Sequence, residues 1–395
     1  MKKILSILIS LILILPLTAN TVCAVYEESV NTVVQKTDTG ITVNARSAVL
    51  MDASTGQVLF SANEHERLYP ASVTKIMPLL LFMEALDEGR ISLEDTVTAS
   101  PTAASKGGSQ IWLKEGEQMT VDELLRATAI ASANDACTAL GEHIAGNEEA
   151  FVSLMNKRAK ELGMENTNFV NCSGLDDDTT EHLTTAYDVA LMSKELLSHD
   201  RIRTYTTVWM DTLRNGATEL TNTNRLVRFY SGTTGLKTGT TSKAGYCLSA
   251  SAERDGLHLI AVILGAQTSD DRFEGAKALL NYGFANFETV RLSFEEAQIP
   301  PVKVIRGLRS EITAGIKDVF PVTLSKGEAD KIEYTVEIAE NVQAPVEKNQ
   351  ILGKVTAKAG DNIIGQYSLI AEDGVRKLTI FDCAERFLKS LTKSA

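Results

Sequence analysis

Strand-like runs open and close the stretch from residue 47 to residue 287, and helical periodicity fills its middle. Ser47-Ala48-Val49-Leu50-Met51 and Gln57-Val58-Leu59-Phe60 read as two strands, and the turn residues Asp52-Ala53-Ser54-Thr55-Gly56 between them make a hairpin. Residues 235–240, 246–252 and 257–265 read as three more strands, and Asp270 to Phe287 as a closing helix. Strands so far apart in sequence reach a common core by joining one sheet. The expected fold is therefore α+β, an antiparallel sheet packed against an inserted helical lobe.

The middle carries clear start signals. Tyr69-Pro70-Ala71-Ser72-Val73-Thr74-Lys75 reads as a helix start, with Pro70 suited to a first turn. Ile76, Leu79, Leu80, Met83 and Leu86 then repeat at helical spacing, ending before Asp87-Glu88-Gly89. Residues 98–117 include Gly107-Gly108-Ser109, show little periodicity and read as a long loop. Thr120-Val121-Asp122-Glu123 is a capping box that opens a helix with Val121, Leu124, Leu125 and Ala129 on one face. A break at Ser132-Ala133-Asn134 precedes another helix, and further helices fit 148–162 and 185–198.

The N-terminus has a different character. Lys2 and Lys3 precede an apolar run from Ile4 to Leu17, and Val22-Cys23-Ala24 supplies small residues for cleavage, the pattern of a secretory signal peptide over 1–24. Its removal takes two lysines and no acids, so the formal charge of −12 becomes −14. So acidic a chain argues against a nucleic-acid partner. Cys137, Cys172, Cys247 and Cys383 are far apart and form no C-x-x-C pair, so four free thiols are expected.

Residues 25–43 are polar and read as a loosely held arm. A composition shift at Ile299-Pro300-Pro301 follows the closing helix, and short β-rich runs then continue to Leu369. The expected organisation is a larger α+β domain at 44–290, a small all-β domain at 299–372 and an amphipathic helix at 376–395. In that last segment Leu378, Phe381, Ala384, Phe387, Leu388 and Leu391 share a face, and the net charge is +3. A basic amphipathic helix on an exported chain suits attachment to an anionic membrane surface, whereas its polarity argues against spanning.

Three short motifs carry chemistry. Ser72 and Lys75, three apart at a helix start, share a face, so a lysine made neutral by burial can take the serine's proton. Ser132 and Asn134 stand in the break between two helices. Lys237-Thr238-Gly239-Thr240 lies on a strand. Each alone is weak, since Ser and Asn favour caps and turns and a lysine protects an edge strand. The ordered set S-x-x-K, S-x-N and K-T-G, on a helix start, an interhelix loop and a strand, is close to the set of penicillin-binding proteins and class A β-lactamases.

With these motifs, Asn171-Cys172-Ser173-Gly174-Leu175, Thr184-Thr185-Ala186-Tyr187-Asp188 and Gly235 to Gly239 make the chain resemble serine-type D-alanyl-D-alanine carboxypeptidases, the low-molecular-weight penicillin-binding proteins. Asn222 to Val227 with Phe229-Tyr230 resembles their spore-former branch. The resemblance covers nearly the whole mature chain and implies a penicillin-binding, β-lactamase-like transpeptidase fold followed by a small β domain. It implies a hydrolase that removes the terminal D-alanine from peptidoglycan pentapeptide stems through an acyl-enzyme and is acylated by β-lactams. Ser72 would be the nucleophile and Lys75 the general base. Ser132 would relay a proton to the leaving D-alanine, and Asn134 would hold the substrate amide and Lys75. The backbone N–H groups of Ser72 and Thr240 would form the oxyanion hole. Lys237 and Thr238, helped by Arg272, would receive the terminal carboxylate, while Gly239 would give the substrate backbone room.

No metal or cofactor is expected, because His65, His143, His182, His199 and His258 lack metal-ligand spacing. His182 sits in a loop that could border the cleft, and a structural role is the plainer reading. One rival is a β-lactamase, for which Glu165 is the only carboxylate in the right region to activate a deacylating water. Another is a β-lactam sensor that binds without turnover.

Overall fold

The computed structural model describes residues 40–176 and 179–385. The expected signal peptide at 1–24, most of the arm and residues 386–395 of the terminal segment lie outside the described residues.

The hairpin forms as read: β1 (Ser47–Asp52) pairs antiparallel with β2 (Val58–Ala62). The helical middle contains α1 (Ile76–Asp87), α2 (Val121–Ile130), α3 (Asn134–Ala145), α4 (Glu148–Glu161) and α5 (Ala186–Leu197). Three long strands follow, β3 (Thr233–Thr241), β4 (Gly245–Arg254) and β5 (Leu257–Ala266), and then the closing helix α6 (Ser269–Asn286). The strands join in the order β2-β1-β5-β4-β3, and every neighbouring pair is antiparallel. β3 is thus an edge strand.

Every residue of β5 is buried, because the sheet is covered on both faces. Alternate side chains go to opposite sides, as the period of a strand requires. Ile260, Val262 and Leu264 join the large core made with α1, α2, α3 and α5. Leu259, Ala261 and Ile263 pack against Phe273, Ala276, Leu279 and Leu280 of α6.

α1 departs from the single apolar stripe expected of it. Ile76 through Met83 are all buried, including Met77, Leu81 and Phe82. A helix apolar all round is a core helix, and α1 packs among α2, α3, α4 and α5, with α5 lying between it and the sheet. Pro78 is accommodated in the first turn, where a missing N–H breaks no hydrogen bond. The capping box of α2 forms as read, with Thr120 and Glu123 exchanging side-chain and backbone bonds. Asn147, Thr185 and Thr268 cap α4, α5 and α6.

α6 runs directly into β6 (Phe287–Arg291), which pairs with β9 (Pro321–Ser325) once β7 (Val302–Ile305) and β8 (Ala314–Ile316) have intervened. The β-rich part therefore begins at residue 287, ahead of the composition shift at Ile299. β10 (Ile332–Ile338), β11 (Asn341–Gln343), β12 (Ile351–Ala359) and β13 (Asn362–Ala371) complete it, with a four-stranded sheet ordered β8-β13-β12-β10. Asp52 links the two parts: its carboxylate accepts from Thr323 at 2.5 Å and from Thr289 at 3.2 Å.

Candidate active site

The turn before α1 is the centre of the site. Ala71–Lys75 is a 3₁₀ turn, and α-helical geometry begins only at Ile76. In a 3₁₀ turn, side chains three residues apart eclipse one another. This stacks Lys75 Nζ over Ser72 Oγ at 2.9 Å. Ala71 enters the turn with φ +48°, a left-handed conformation that is costly for a residue with a Cβ.

Lys75 is fully buried. Its Nζ also meets Asn134 Oδ1 at 2.5 Å and the Ser173 carbonyl at 2.9 Å. Burial brings its pKa down to about 8, an effect partly offset by neighbouring Cys137, Cys172 and Asp135. A neutral amine has two protons and one lone pair. Asn134 Oδ1 and the Ser173 carbonyl only accept, so they take the two protons, and the lone pair falls to Ser72, whose hydroxyl can donate.

The break between α2 and α3 supplies the next two residues. Ser132 has φ +63° and is almost fully buried, and its Oγ has no hydrogen-bond partner among the described residues. Asn134 Nδ2 donates to the Gly107 carbonyl at 2.7 Å, which ties the long loop to the site. Gly108 in that loop has φ +74°, and a Cβ there would lie 2.8 Å from Asn134 Nδ2.

β3 closes the other side. Lys237 is buried, and among the described residues its ammonium meets only the Thr238 carbonyl, at 3.1 Å. Burial, reinforced by the charges of Lys75 and Arg272, holds its pKa well below that of an ordinary lysine. Thr238 Oγ1 donates to Thr223 Oγ1 at 2.7 Å. A Cβ on Gly239 would lie 2.6 Å from the Pro70 carbonyl and 2.9 Å from Ser72 N. The absent side chain of Gly239 thus lets the serine turn pack against β3, and any side chain there would push β3 away from Ser72. Arg272 of α6 is buried with its pKa lowered to about 10 by burial. Its Nη1 donates to the Gly239 carbonyl (2.9 Å), Thr240 Oγ1 (3.0 Å) and the Cys247 carbonyl (3.3 Å), so it braces the end of β3.

The structure therefore brings Ser72, Lys75 and Asn134 into direct contact and sets Gly239 of β3 against their turn. Ser173 and Thr223 belong to the same network, and sequence reasoning gave neither a role of its own. Ser173 acts through a backbone carbonyl, which leaves no side-chain signature. His182 is fully buried beneath the turn rather than at a cleft edge. Glu165 is exposed on the turn after α4. Among the described residues, no group of His, Cys, Asp and Glu could hold a metal. Cys137, Cys172 and Cys247 are buried free thiols, and Cys383 is an exposed one.

Comparison with known proteins gives a consistent picture. Residues 31–268 match the D-alanyl-D-alanine carboxypeptidase family model of peptidase S11, and residues 287–377 match the C-terminal domain of penicillin-binding protein 5. The D-alanyl-D-alanine carboxypeptidase DacF of Bacillus subtilis is 41% identical over 88% of this chain and 90% of its own. The crystal structure of penicillin-binding protein 5 from Haemophilus influenzae is 32% identical, with a TM-score of 0.78, and the match covers 85% of this chain and 99% of that one. Penicillin-binding protein D2 of Listeria monocytogenes in its ampicillin-bound form is 32% identical with a TM-score of 0.57, over 62% of this chain and 99% of that one.

Proposed function

The chain belongs to the D-alanyl-D-alanine carboxypeptidase family, and on that premise we propose that it trims the terminal D-alanine from peptidoglycan pentapeptide stems with Ser72 as nucleophile and Lys75 as base. The observation that carries the assignment is the Lys75 amine, buried and shared among Ser72, Asn134 and Ser173. Ser72 Oγ gives its proton to Lys75 Nζ as it bonds to the carbonyl carbon of the D-Ala-D-Ala peptide bond. The resulting oxyanion lies against the backbone N–H groups of Ser72 and Thr240, since donors aimed at developing charge are the main electrostatic aid to acyl transfer. The C–N bond then breaks. The leaving D-alanine amine takes a proton through Ser132, whose buried hydroxyl has no hydrogen-bond partner among the described residues. Water hydrolyses the ester and restores Ser72.

Lys237 and Thr238 receive the terminal carboxylate. A buried lysine with one carbonyl partner gains its natural counter-ion when a carboxylate arrives, which restores its charge. Arg272 assists by holding the strand end and adding positive charge nearby. Asn134 keeps Lys75 in place and presents its amide to the substrate. A β-lactam enters the same pathway, because its ring carbonyl meets Ser72 but its leaving nitrogen stays tethered. The exposed position of Glu165 gives no support to the β-lactamase reading.

The same reading includes export by residues 1–24, a peptidase domain at 44–290, a β domain at 299–372 and a membrane-surface helix at 376–395 that keeps the enzyme outside the cytoplasmic membrane. The described start of that helix supports it. Thr379 and Asp382 form a cap, Arg376 pairs with both Asp382 oxygens at 2.6 Å, and Ile380 and Phe381 are each 86% exposed. Among the described residues, no helix is long and apolar enough to cross a membrane. Peptide mapping of a penicillin adduct tests the site: the label should sit on the peptide containing Ser72 and be absent from Ser72→Ala. A label elsewhere would refute the assignment.

A further inference from the structure

The 3₁₀ turn carrying Ser72 and Lys75 has no side-chain cap of its own. Besides Asn134 and β3, three residues of the stretch after α4 reach the turn: Ser173, Gly174 and His182. The Ser173 carbonyl accepts from Lys75. Gly174, at φ +87°, lies so close that a Cβ there would be 1.8 Å from the Ala71 carbonyl oxygen. The third contact is His182, which meets Thr74 Oγ1 through Nε2 at 2.8 Å.

The tautomer of His182 follows from its partners. The Val170 N–H can only donate, and it points at Nδ1 at 3.1 Å. Nδ1 is therefore the acceptor, Nε2 carries the proton, and the imidazole donates to Thr74 Oγ1. Burial, with the charge of nearby Lys75, lowers the His182 pKa to about 4, so the ring is neutral in neutral solution. A neutral ring both accepts from Val170 and donates to Thr74, whereas an imidazolium would lose the first bond and set a second cation beside Lys75.

We propose that His182 is a positioning residue for acylation: by donating to Thr74 it fixes the turn in which the Lys75 lone pair faces Ser72. His182 touches neither substrate nor the reacting atoms and acts through Thr74, which lies between Ser72 and Lys75 in the chain. The inference rests on the reading of Ser72 as nucleophile.

Two substitutions separate the two bonds. In His182→Asn the side-chain oxygen reproduces Nδ1, keeping the Val170 bond and losing the one to Thr74. In His182→Gln the terminal amide reaches the Nε2 position and keeps the donor to Thr74. Thr74→Val removes the acceptor with little change of shape. The readout is the rate of covalent labelling by a fluorescent penicillin, with the labelled residue mapped, together with kcat and KM on a peptide ending in D-Ala-D-Ala. His182→Asn and Thr74→Val should acylate roughly tenfold to a hundredfold more slowly, the scale that a small misplacement of reacting groups produces. The loss should fall on kcat rather than KM. His182→Gln should retain most of the rate, and the Thr74→Val/His182→Asn double variant should be no slower than either single one, because both remove the same bond. Thr74→Val labelling Ser72 at the wild-type rate, or His182→Gln being as slow as His182→Asn, would overturn the inference and leave the nucleophile assignment intact. A label on another residue would overturn the nucleophile assignment and the inference together. Should His182→Asn fail to fold, Thr74→Val alone decides the matter.

Discussion

The proposed mechanism gives two buried lysines, Lys75 and Lys237, different work. Lys75 has a hydroxyl among its partners and a pKa of about 8, so a sizeable neutral fraction exists near neutrality. The base form is the deprotonated one. Acylation by a neutral β-lactam ester should therefore rise with pH up to about 8 and level off above it, and a stopped-flow pH profile checks this. Lys75→Arg should abolish acylation at every pH, since a guanidinium keeps its proton. Lys237→Arg should keep part of the activity on peptides, because a cation there still meets the carboxylate. Equal residual rates in the two variants would contradict this division. Ser72→Ala should remove acylation while changing stability by no more than about 1 kcal/mol, because among the described residues its side chain bonds only to Lys75.

At the level of elements, the segment from Asn168 to Thr184 behaves as a latch on the nucleophile turn. Its strength depends on a neutral His182. With a folded pKa of about 4 against an ordinary 6.5, the unfolded chain binds the extra proton between those values. Stability from this group is complete above about 6.5 and is lost as pH falls toward about 4. Thermal denaturation across that window should show a steeper acid loss in the wild type than in His182→Gln. The latch was only partly legible in the sequence. The hairpin, the three long strands, the capping box at Thr120 and the order of the S-x-x-K, S-x-N and K-T-G motifs are local patterns, and local patterns can be read. The contact of Ser173 with Lys75 uses a carbonyl, and the contact of His182 with Thr74 spans a long stretch of chain, so neither leaves a periodic or compositional trace. The all-round burial of α1 was hidden for a related reason: its apolar residues were visible, but which elements would surround it is a property of the assembled fold.

On the scale of the whole molecule, Asp52 ties the peptidase part to the β domain. It is fully buried, accepts from Thr289 and Thr323, and also receives the Ser54 N–H at 2.6 Å. Asp52→Ala would strand these donors and should cost about 1–3 kcal/mol of stability, read by denaturant unfolding, without altering the rate on a soluble peptide. Deleting residues 376–395 should release the enzyme from anionic vesicles at an unchanged peptide rate, and retention on vesicles would count against the anchor. The most direct test takes the full chain and a stem pentapeptide ending in D-Ala-D-Ala. Free D-alanine and the mass of the rapidly quenched protein are read together. The expected result is one D-alanine released per peptide, with a transient Ser72 adduct equal to the peptide less its last residue. An adduct that forms without continued D-alanine release, or release that persists in Ser72→Ala, would contradict it.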